Sequence, residues 1–238
     1  MEVTLDSIRD IRLYQPRQGY RFSVDSLLLF SFVRLREVIR IADFGAGSGV
    51  IGLLLAKKYP NSSVTLIELQ SELYELAKKN IVLNNLQERV IALMADIREI
   101  SNFKNKRFDL VVSNPPFRKP LTGLMSGEMQ RAIARHEITL RLEELIKASS
   151  ELLKYHGRLC LIHLPERLSE LIEICRANGL EPKRLRFVHS KPSVEAKMLL
   201  IEAVKQGRAG LRIEPPFFIY REDGSYTEEM ELIFQSKK

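Results

Sequence analysis

Two short segments of the 238-residue chain combine residue types that do chemistry. The first is Asp43-Phe44-Gly45-Ala46-Gly47-Ser48-Gly49, set between a β-branched run and an apolar helical run. Its glycines let a ligand approach the backbone closely, and the following helix N-terminus offers N–H groups to a negative group. Two ligands fit. Gly47 to Gly52 matches the G-x-G-x-x-G dinucleotide pattern, and Glu68 follows 21 residues after Gly47, where a ribose acceptor belongs. S-adenosylmethionine fits as well: a D-x-G-x-G-x-G loop holds its methionine end, and an acid ending the second strand takes the ribose hydroxyls. A P-loop does not fit, because Leu53 stands where its lysine must be. Asp96 ends a third strand, where a carboxylate accepts from an adenine amine and Ile97 packs on the ring. The candidate cofactor set is Asp43, Gly45, Ala46, Gly47, Gly49, Glu68, Leu69, Asp96 and Ile97.

The second segment, Asn114-Pro115-Pro116-Phe117, follows a fourth strand. It suits methyl transfer to a planar nitrogen. An exocyclic amine on adenine is a poor nucleophile, since its lone pair is delocalised into the ring. Two acceptors that take its N–H bonds pull the nitrogen toward tetrahedral geometry. The Asn114 side-chain oxygen and the Pro115 carbonyl are the candidates, and rate then comes from positioning and desolvation. The prolines stiffen the turn, and Phe117 offers a face on which a flipped base stacks. Asn114 also borders the cofactor site.

The elements that must position these residues alternate. Strands are predicted at Val38–Phe44, Val64–Leu69, Val90–Met94, Phe108–Ser113 and Arg158–Leu164. Helices fall at Val50–Lys58, Ser71–Asn84 and Leu142–Tyr155, the last stopped by Gly157, and another runs from Pro165 to near Gly179. Such alternation predicts a Rossmann-like, doubly wound α/β sheet, mostly parallel. Arg184–His189 and Lys197–Ala203 have no helix between them, which predicts an antiparallel end to the sheet. One domain is expected over 1–238. Its N-terminal extension, 1–37, holds a short helix, Leu27–Val33, capped by Ser23 or Asp25. Its C-terminal extension, 206–238, is a hairpin turning at Asp223-Gly224.

Composition narrows the function. Hydrophobic residues are 45% and charged residues 28% of the chain, so it is neither disordered nor membrane-spanning. The N-terminus lacks a basic region followed by an apolar stretch, which argues against a secretory signal. Cys160 and Cys175 sit in apolar surroundings and read as buried thiols in a reducing cytoplasm. Lys plus Arg exceed Asp plus Glu by seven, compatible with a polyanionic partner. Seven basic residues against two acidic ones lie between Ser101 and Arg135, and nine against three between Arg176 and Arg212. The candidate RNA contacts are Arg118, Lys119, Arg131, Arg135, His189 and Lys191. His136-Glu137 is not a zinc-protease motif, since Leu140 replaces the second histidine. His136 reads as structural, and His156 and His163 as bland. No metal is expected. The residues leave the oligomeric state open, with a monomer favoured.

DFGAGSG, LIEL, ADI and SNPPF, in this order over residues 40–205, resemble a class I S-adenosylmethionine-dependent methyltransferase of the amino-methylating kind. The flanks Tyr14-Gln15-Pro16, Gly19 to Leu29, Ala134-Arg135-His136-Glu137 and His189 to Pro192 resemble the tRNA1(Val) (adenine-37 N6)-methyltransferase group. The resemblance implies that Gly45, Ala46 and Gly47 contact the methionine moiety, Glu68 the ribose and Asp96 the adenine of the cofactor. It implies closure of Tyr20–Asp25, including Phe22, over the cofactor, and catalysis by Asn114 to Phe117. Relatives often carry tyrosine where this chain has Phe117; stacking survives that change, a phenol role does not. The implied reaction is N6-methylation of an adenine in tRNA. Guanine-N2 methylation of rRNA, methylation of a protein glutamine, NAD-dependent oxidoreduction and a catalytically silent RNA-binding module are the alternatives.

Overall fold

The computed structural model describes residues 2–17, 23–99, 107–115 and 141–235. The chain opens with a hairpin, β1 (Val3–Ile8) and β2 (Ile11–Pro16), then α1 (Val24–Phe32). The repeating part follows: β3 (Arg40–Phe44), α2 (Val50–Lys58), β4 (Ser63–Glu68), α3 (Ser71–Leu83), β5 (Val90–Met94) and β6 (Phe108–Ser113). Next come α4 (Leu142–Leu152), β7 (Leu153–His163), a 3-10 turn at Pro165–Arg167, α5 (Leu168–Ala177), β8 (Leu180–His189) and β9 (Ala196–Lys205). Short strands β10 (Arg212–Ile213) and β11 (Phe217–Phe218) and a last helix α6 (Glu228–Phe234) complete the described chain.

The central sheet has the order β10-β8-β9-β7-β6-β3-β4-β5, with β11 also on β8. The expected doubly wound α/β architecture is present. Strands β3 to β7 are mutually parallel, and β9 runs antiparallel to both β7 and β8. One expectation changes here. The antiparallel strand is inserted between β7 and β8, and the sheet edge beyond is made by β8 with parallel β10 and β11. A six-residue connection from His189 to Ala196 turns β8 straight back into β9, which leaves β8 running with the parallel set. The chain leaves β3 in one direction through β4 and β5, then returns to place β6 on β3's other flank. This is the switch point at which ligands bind in doubly wound sheets.

Helix α2 is buried from Val50 through Ala56, so it is apolar all round, as a helix packed on both sides must be. It lies between the sheet and α1. Two apolar layers result, one around Leu28, Leu54 and Val112, the other around Phe44, Ile146 and Leu161.

The N-terminal hairpin, where only a short helix was expected, is fastened by two asparagines one helical turn apart. Asn80 accepts from Tyr14 N at 2.7 Å and donates to Tyr14 O at 3.0 Å; Asn84 does the same for Arg12, at 2.9 and 2.7 Å. Residues four apart on a helix are about 6 Å apart along the axis, close to the ~6.7 Å of alternate residues on a strand. The two amides therefore stand in for a neighbouring strand. Asn80 also donates to Ser48 O at 2.9 Å, which ties this edge to the glycine loop.

Further differences have local causes. Helix α4 ends at Leu152, and the following residues join β7 through an irregular register, with His156 at φ 58°. Gly157 is needed because a Cβ there would lie 2.9 Å from Lys154 O and 3.0 Å from Phe108 O. Helix α1 begins at Val24, and the Ser23 side chain makes no capping bond. The Asp223-Gly224 turn forms, with one antiparallel bridge between Tyr220 and Tyr226, but helix α6 follows instead of a second strand. Thr227 caps that helix by accepting from Met230 N at 3.2 Å.

Candidate active site

The loop after β3 and the turn after β6 start side by side. Phe44 is the register partner of Ser113, and Ser113 Oγ donates to Phe44 O at 2.8 Å. The next residues are Gly45 and Asn114, at the C-terminal ends of adjacent strands, so both chemical segments open into one crevice.

The loop needs its glycines: Gly45, Gly47 and Gly49 have φ of 67°, 57° and 92°, where a side chain is strained. Gly45 N and Ala46 N both donate to Ile67 O, at 2.9 and 3.1 Å, folding the loop over the end of β4. Buried Glu68 completes the clamp. One carboxylate oxygen accepts from Gly47 N at 2.8 Å and the other from Gln70 N at 2.9 Å. Leu69 beside it is exposed. Gly52 serves packing: a Cβ there would lie 2.1 Å from Leu66 Cδ2. This explains the literal G-x-G-x-x-G match, since the third glycine of such motifs admits close helix–strand contact whatever the ligand.

Asp43 is buried beneath the loop at 1% exposure. Its Oδ2 accepts from Gly52 N at 2.9 Å, and its Oδ1 has no partner. Burial pushes its carboxyl up to about 7, the Gly52 N–H pulls it down, and nearby Glu68 adds to the rise. An orphaned carboxylate oxygen below a glycine loop suits a cationic group, and a Cβ at Gly45 would meet nothing within 4 Å. The amino-acid end of S-adenosylmethionine carries an ammonium and a carboxylate, the latter matched by the N-terminus of α2. The residues present fit that cofactor.

On the facing strand, Asn114 Nδ2 donates to the buried Ser26 Oγ on α1 at 3.3 Å. With its nitrogen turned to Ser26, the amide leaves Oδ1 as its acceptor. Asn114 and Pro115 are both half-buried at the crevice. Pro116 and Phe117, and likewise Tyr20 and Phe22, lie outside the described residues.

A family model described as "Methyltransferase small domain" matches residues 21–170. The chain belongs to the methyltransferase small domain family. A relative from Porphyromonas gingivalis, named tRNA1(Val) (adenine(37)-N6)-methyltransferase, is 40% identical over 67% of this chain, which spans 63% of that relative's length. A relative of the same name from Parabacteroides distasonis is 31% identical over 80% of this chain and 79% of its own. Among solved structures, a predicted O-methyltransferase from Agrobacterium tumefaciens superposes with a TM-score of 0.70 at 25% identity, covering 88% of this chain and 94% of that one. Membership of a methyltransferase family removes the dinucleotide oxidoreductase reading of the glycine loop.

In this methyltransferase small domain, Asp96 carries a partner that the sequence reading missed. Arg98 grips it with Nε at 2.9 Å from Oδ1 and Nη2 at 2.5 Å from Oδ2, while Arg98 N donates to Oδ1 at 2.9 Å. These bonds, led by the guanidinium, hold the Asp96 carboxyl below its usual range. Arg98 follows Asp96 by two residues, so the pairing was visible as proximity but not as geometry. Ile97 is buried with Phe44 and Ile67 in the core.

The basic stretches divide. Arg184 pairs with Glu202 at 2.8 Å and Glu214 at 3.2 Å, and Arg186 pairs with Glu229 at 2.6 Å, all largely buried on the arginine side. These arginines hold the sheet edge together. His189 Nδ1 lies 2.7 Å from Val194 O, and Lys191 Nζ donates to Glu222 O at 3.0 Å. Arg118, Lys119, Arg131 and Arg135 lie outside the described residues, as do His136 and Glu137. His163 is not bland: its Nδ1 accepts from Leu164 N at 2.8 Å, and burial, aided by Arg167, pushes it down to about 4. Both cysteines are free and buried, and burial pushes their thiols up, Cys175 to about 12. Among the described residues no group of three or more His, Cys, Asp or Glu could hold a metal, and no helix is long and apolar enough to cross a membrane.

Proposed function

We propose that the chain transfers a methyl group from S-adenosylmethionine to the exocyclic amine of an adenine in tRNA, at position 37 of tRNA1(Val) as its relatives' names state. The observation that carries the reading is the register pair Phe44–Ser113. It sets the glycine loop and the Asn-Pro turn on one crevice, with the Asn114 amide nitrogen occupied by Ser26.

The bound cofactor supplies an electrophilic methyl on a sulfonium. Gly45, Ala46, Gly47 and Gly49 accommodate its methionine end above Asp43. Glu68 fixes the loop through Gly47 and lies at the end of β4 where the ribose passes; Leu69, Asp96 and Ile97 line the adenine side. Asn114 Oδ1 and Pro115 O take the two N–H bonds of the substrate amine. No strong base is required, because the two acceptors localise the nitrogen lone pair and aim it across the crevice; as the N–C bond forms the C–S bond breaks, S-adenosylhomocysteine leaves, and the methylated nitrogen sheds its surplus proton to water. Pro116 keeps the turn stiff and Phe117 stacks on the flipped base. Tyr20 and Phe22 close over the cofactor. Arg118, Lys119, Arg131, Arg135, His189 and Lys191 contact phosphates. We read residues 1–238 as one domain working in the cytoplasm. The support for a single domain is the Asn80 and Asn84 fastening of the hairpin to α3 and the buried Met230 and Ile233 of α6.

The test is labelled methyl transfer to total tRNA followed by nucleoside analysis, with Asn114→Ala alongside. N6-methyladenosine is expected with the wild type. The variant is expected to lose transfer while binding S-adenosylhomocysteine normally. N2-methylguanosine or methylated protein as the product, or an active variant, overturns the assignment.

A further inference from the structure

The C-terminal segment beyond the matched domain carries a feature that the reaction above does not use. Tyr220 and Tyr226 stack face to face, with centroids 5.1 Å apart and planes 15° from parallel, and Phe234 leans on Tyr226 at 5.4 Å. A hydrogen bond with Tyr220 holds the Tyr226 phenol above its usual range. Tyr226 is 37% exposed and Phe234 39%, a large aromatic surface to leave in water. The segment is firmly seated. Met230 and Ile233 are buried, Thr227 Oγ1 donates to Phe218 O at 2.7 Å, and Tyr220 N donates to Ser190 O at 2.8 Å. The aromatic group is therefore a fixed shelf.

Its position is informative. Strand β11 runs parallel to β8, with Phe218 opposite His189. The shelf thus follows the same C-terminal sheet end as Gly45 and Asn114. From β6 it is four strand steps away through β7, β9 and β8, about 19 Å at roughly 4.8 Å per step. An RNA chain entering the crevice spans that distance. Lys191, anchored on Glu222 O, and Arg221 supply positive charge beside the rings. Acids of the same segment stand beside them: Glu222, Asp223, Glu228 and Glu231 are exposed, Asp223 lies in the field of both Lys191 and Arg221, and Glu229 is paired with Arg186.

We propose that Tyr220 and Tyr226 form a stacking platform for an unpaired nucleotide of the RNA substrate, with Lys191 and Arg221 on its phosphates. The platform rests on the RNA reading and adds a second point of attachment outside the reaction crevice. Aromatic stacking tolerates any base, so it sets affinity and placement instead of sequence.

The test is equilibrium binding of total tRNA to the full chain across a salt series, with S-adenosylhomocysteine affinity measured in parallel. Tyr226→Ala is expected to weaken tRNA binding roughly ten-fold, the size of one missing base stack, with S-adenosylhomocysteine affinity unchanged. Tyr226→Phe keeps the ring and restores tRNA binding. The double variant Lys191→Ala with Arg221→Ala, both surface changes, lowers the salt slope by about 0.7 for each phosphate that is no longer neutralised. Variants that bind tRNA as the wild type does, with an unaltered slope, overturn the platform while leaving the RNA reading intact. A wild type without measurable tRNA affinity overturns both.

Discussion

Asp43 makes a prediction whose size follows from its burial. In the unfolded chain its carboxyl titrates at the ordinary 3.8, and in the fold at about 7. Between these values folding takes up a proton, so Asp43's contribution to stability is fully present below the unfolded pKa. It is lost as pH rises through the folded one. From about pH 5 to about pH 8 the carboxyl passes through roughly two units of full titration. At about 1.4 kcal/mol per unit, the fold loses about 3 kcal/mol of stability on this account. Asp43→Asn removes the titration. His163 acts in the opposite sense, since its lowered pKa makes stability rise with pH up to about 6.5, but it does so equally in both proteins. Urea unfolding of wild type and Asp43→Asn in parallel cancels it. The wild-type minus variant difference should fall by about 3 kcal/mol across that window. A difference that stays flat would mean that the carboxyl is ionised throughout and that burial does not raise it.

Three other perturbations follow from the site. Gly52→Ala places a Cβ 2.1 Å from Leu66 Cδ2, and should cost about 1–3 kcal/mol of stability by overpacking, read from its urea midpoint. Glu68→Gln exchanges one of the two accepting oxygens for a donor facing an N–H, so the loop loses a tie to Gly47 or Gln70. S-adenosylhomocysteine affinity should drop at least ten-fold by calorimetry, and an unaltered affinity would count against the clamp. Arg98→Ala frees the Asp96 carboxylate. Its pKa should return upward toward the ordinary range, observable by carboxyl NMR titration, and an unmoved pKa would show that the guanidinium is not its main partner.

The doubly wound sheet was legible because each strand and helix is long enough to show its own period and because glycine marks the first crossover. The placement of β9 was not. An antiparallel strand inserted at β7 and one added at the edge have the same apolar run, and only the short return from His189 to Ala196 decides between them. The N-terminal hairpin was missed for a different reason. Its outer partner is a pair of side-chain amides on α3, and asparagine on a helix gives no sign that it is serving as a strand. In the site, the glycine loop and the Asn-Pro turn were visible as motifs. Their meeting through Phe44 and Ser113 was implied only by strand order, which the motifs do not encode. The G-x-G-x-x-G match was ambiguous at its root, because Gly52 answers to Leu66 and not to a ligand.

Charge shows how far composition can mislead about a surface. The chain carries an excess of seven cations, yet Arg184 and Arg186, from the more basic of the two stretches, are spent on Glu202, Glu214 and Glu229. A buried pair projects little field, since each charge is cancelled within a few ångströms. Steering of a polyanion toward the crevice therefore depends on the exposed cations at the C-terminal end of the sheet. Lys191 and Arg221 lie at that end, Arg221 exposed and Lys191 half-buried, both in the field of Asp223. The salt dependence of RNA binding should consequently follow Lys191 and Arg221 together with the proposed contacts Arg118, Lys119, Arg131 and Arg135, and be indifferent to the arginines of the sheet edge, whose loss would instead appear as instability of β8 and α6.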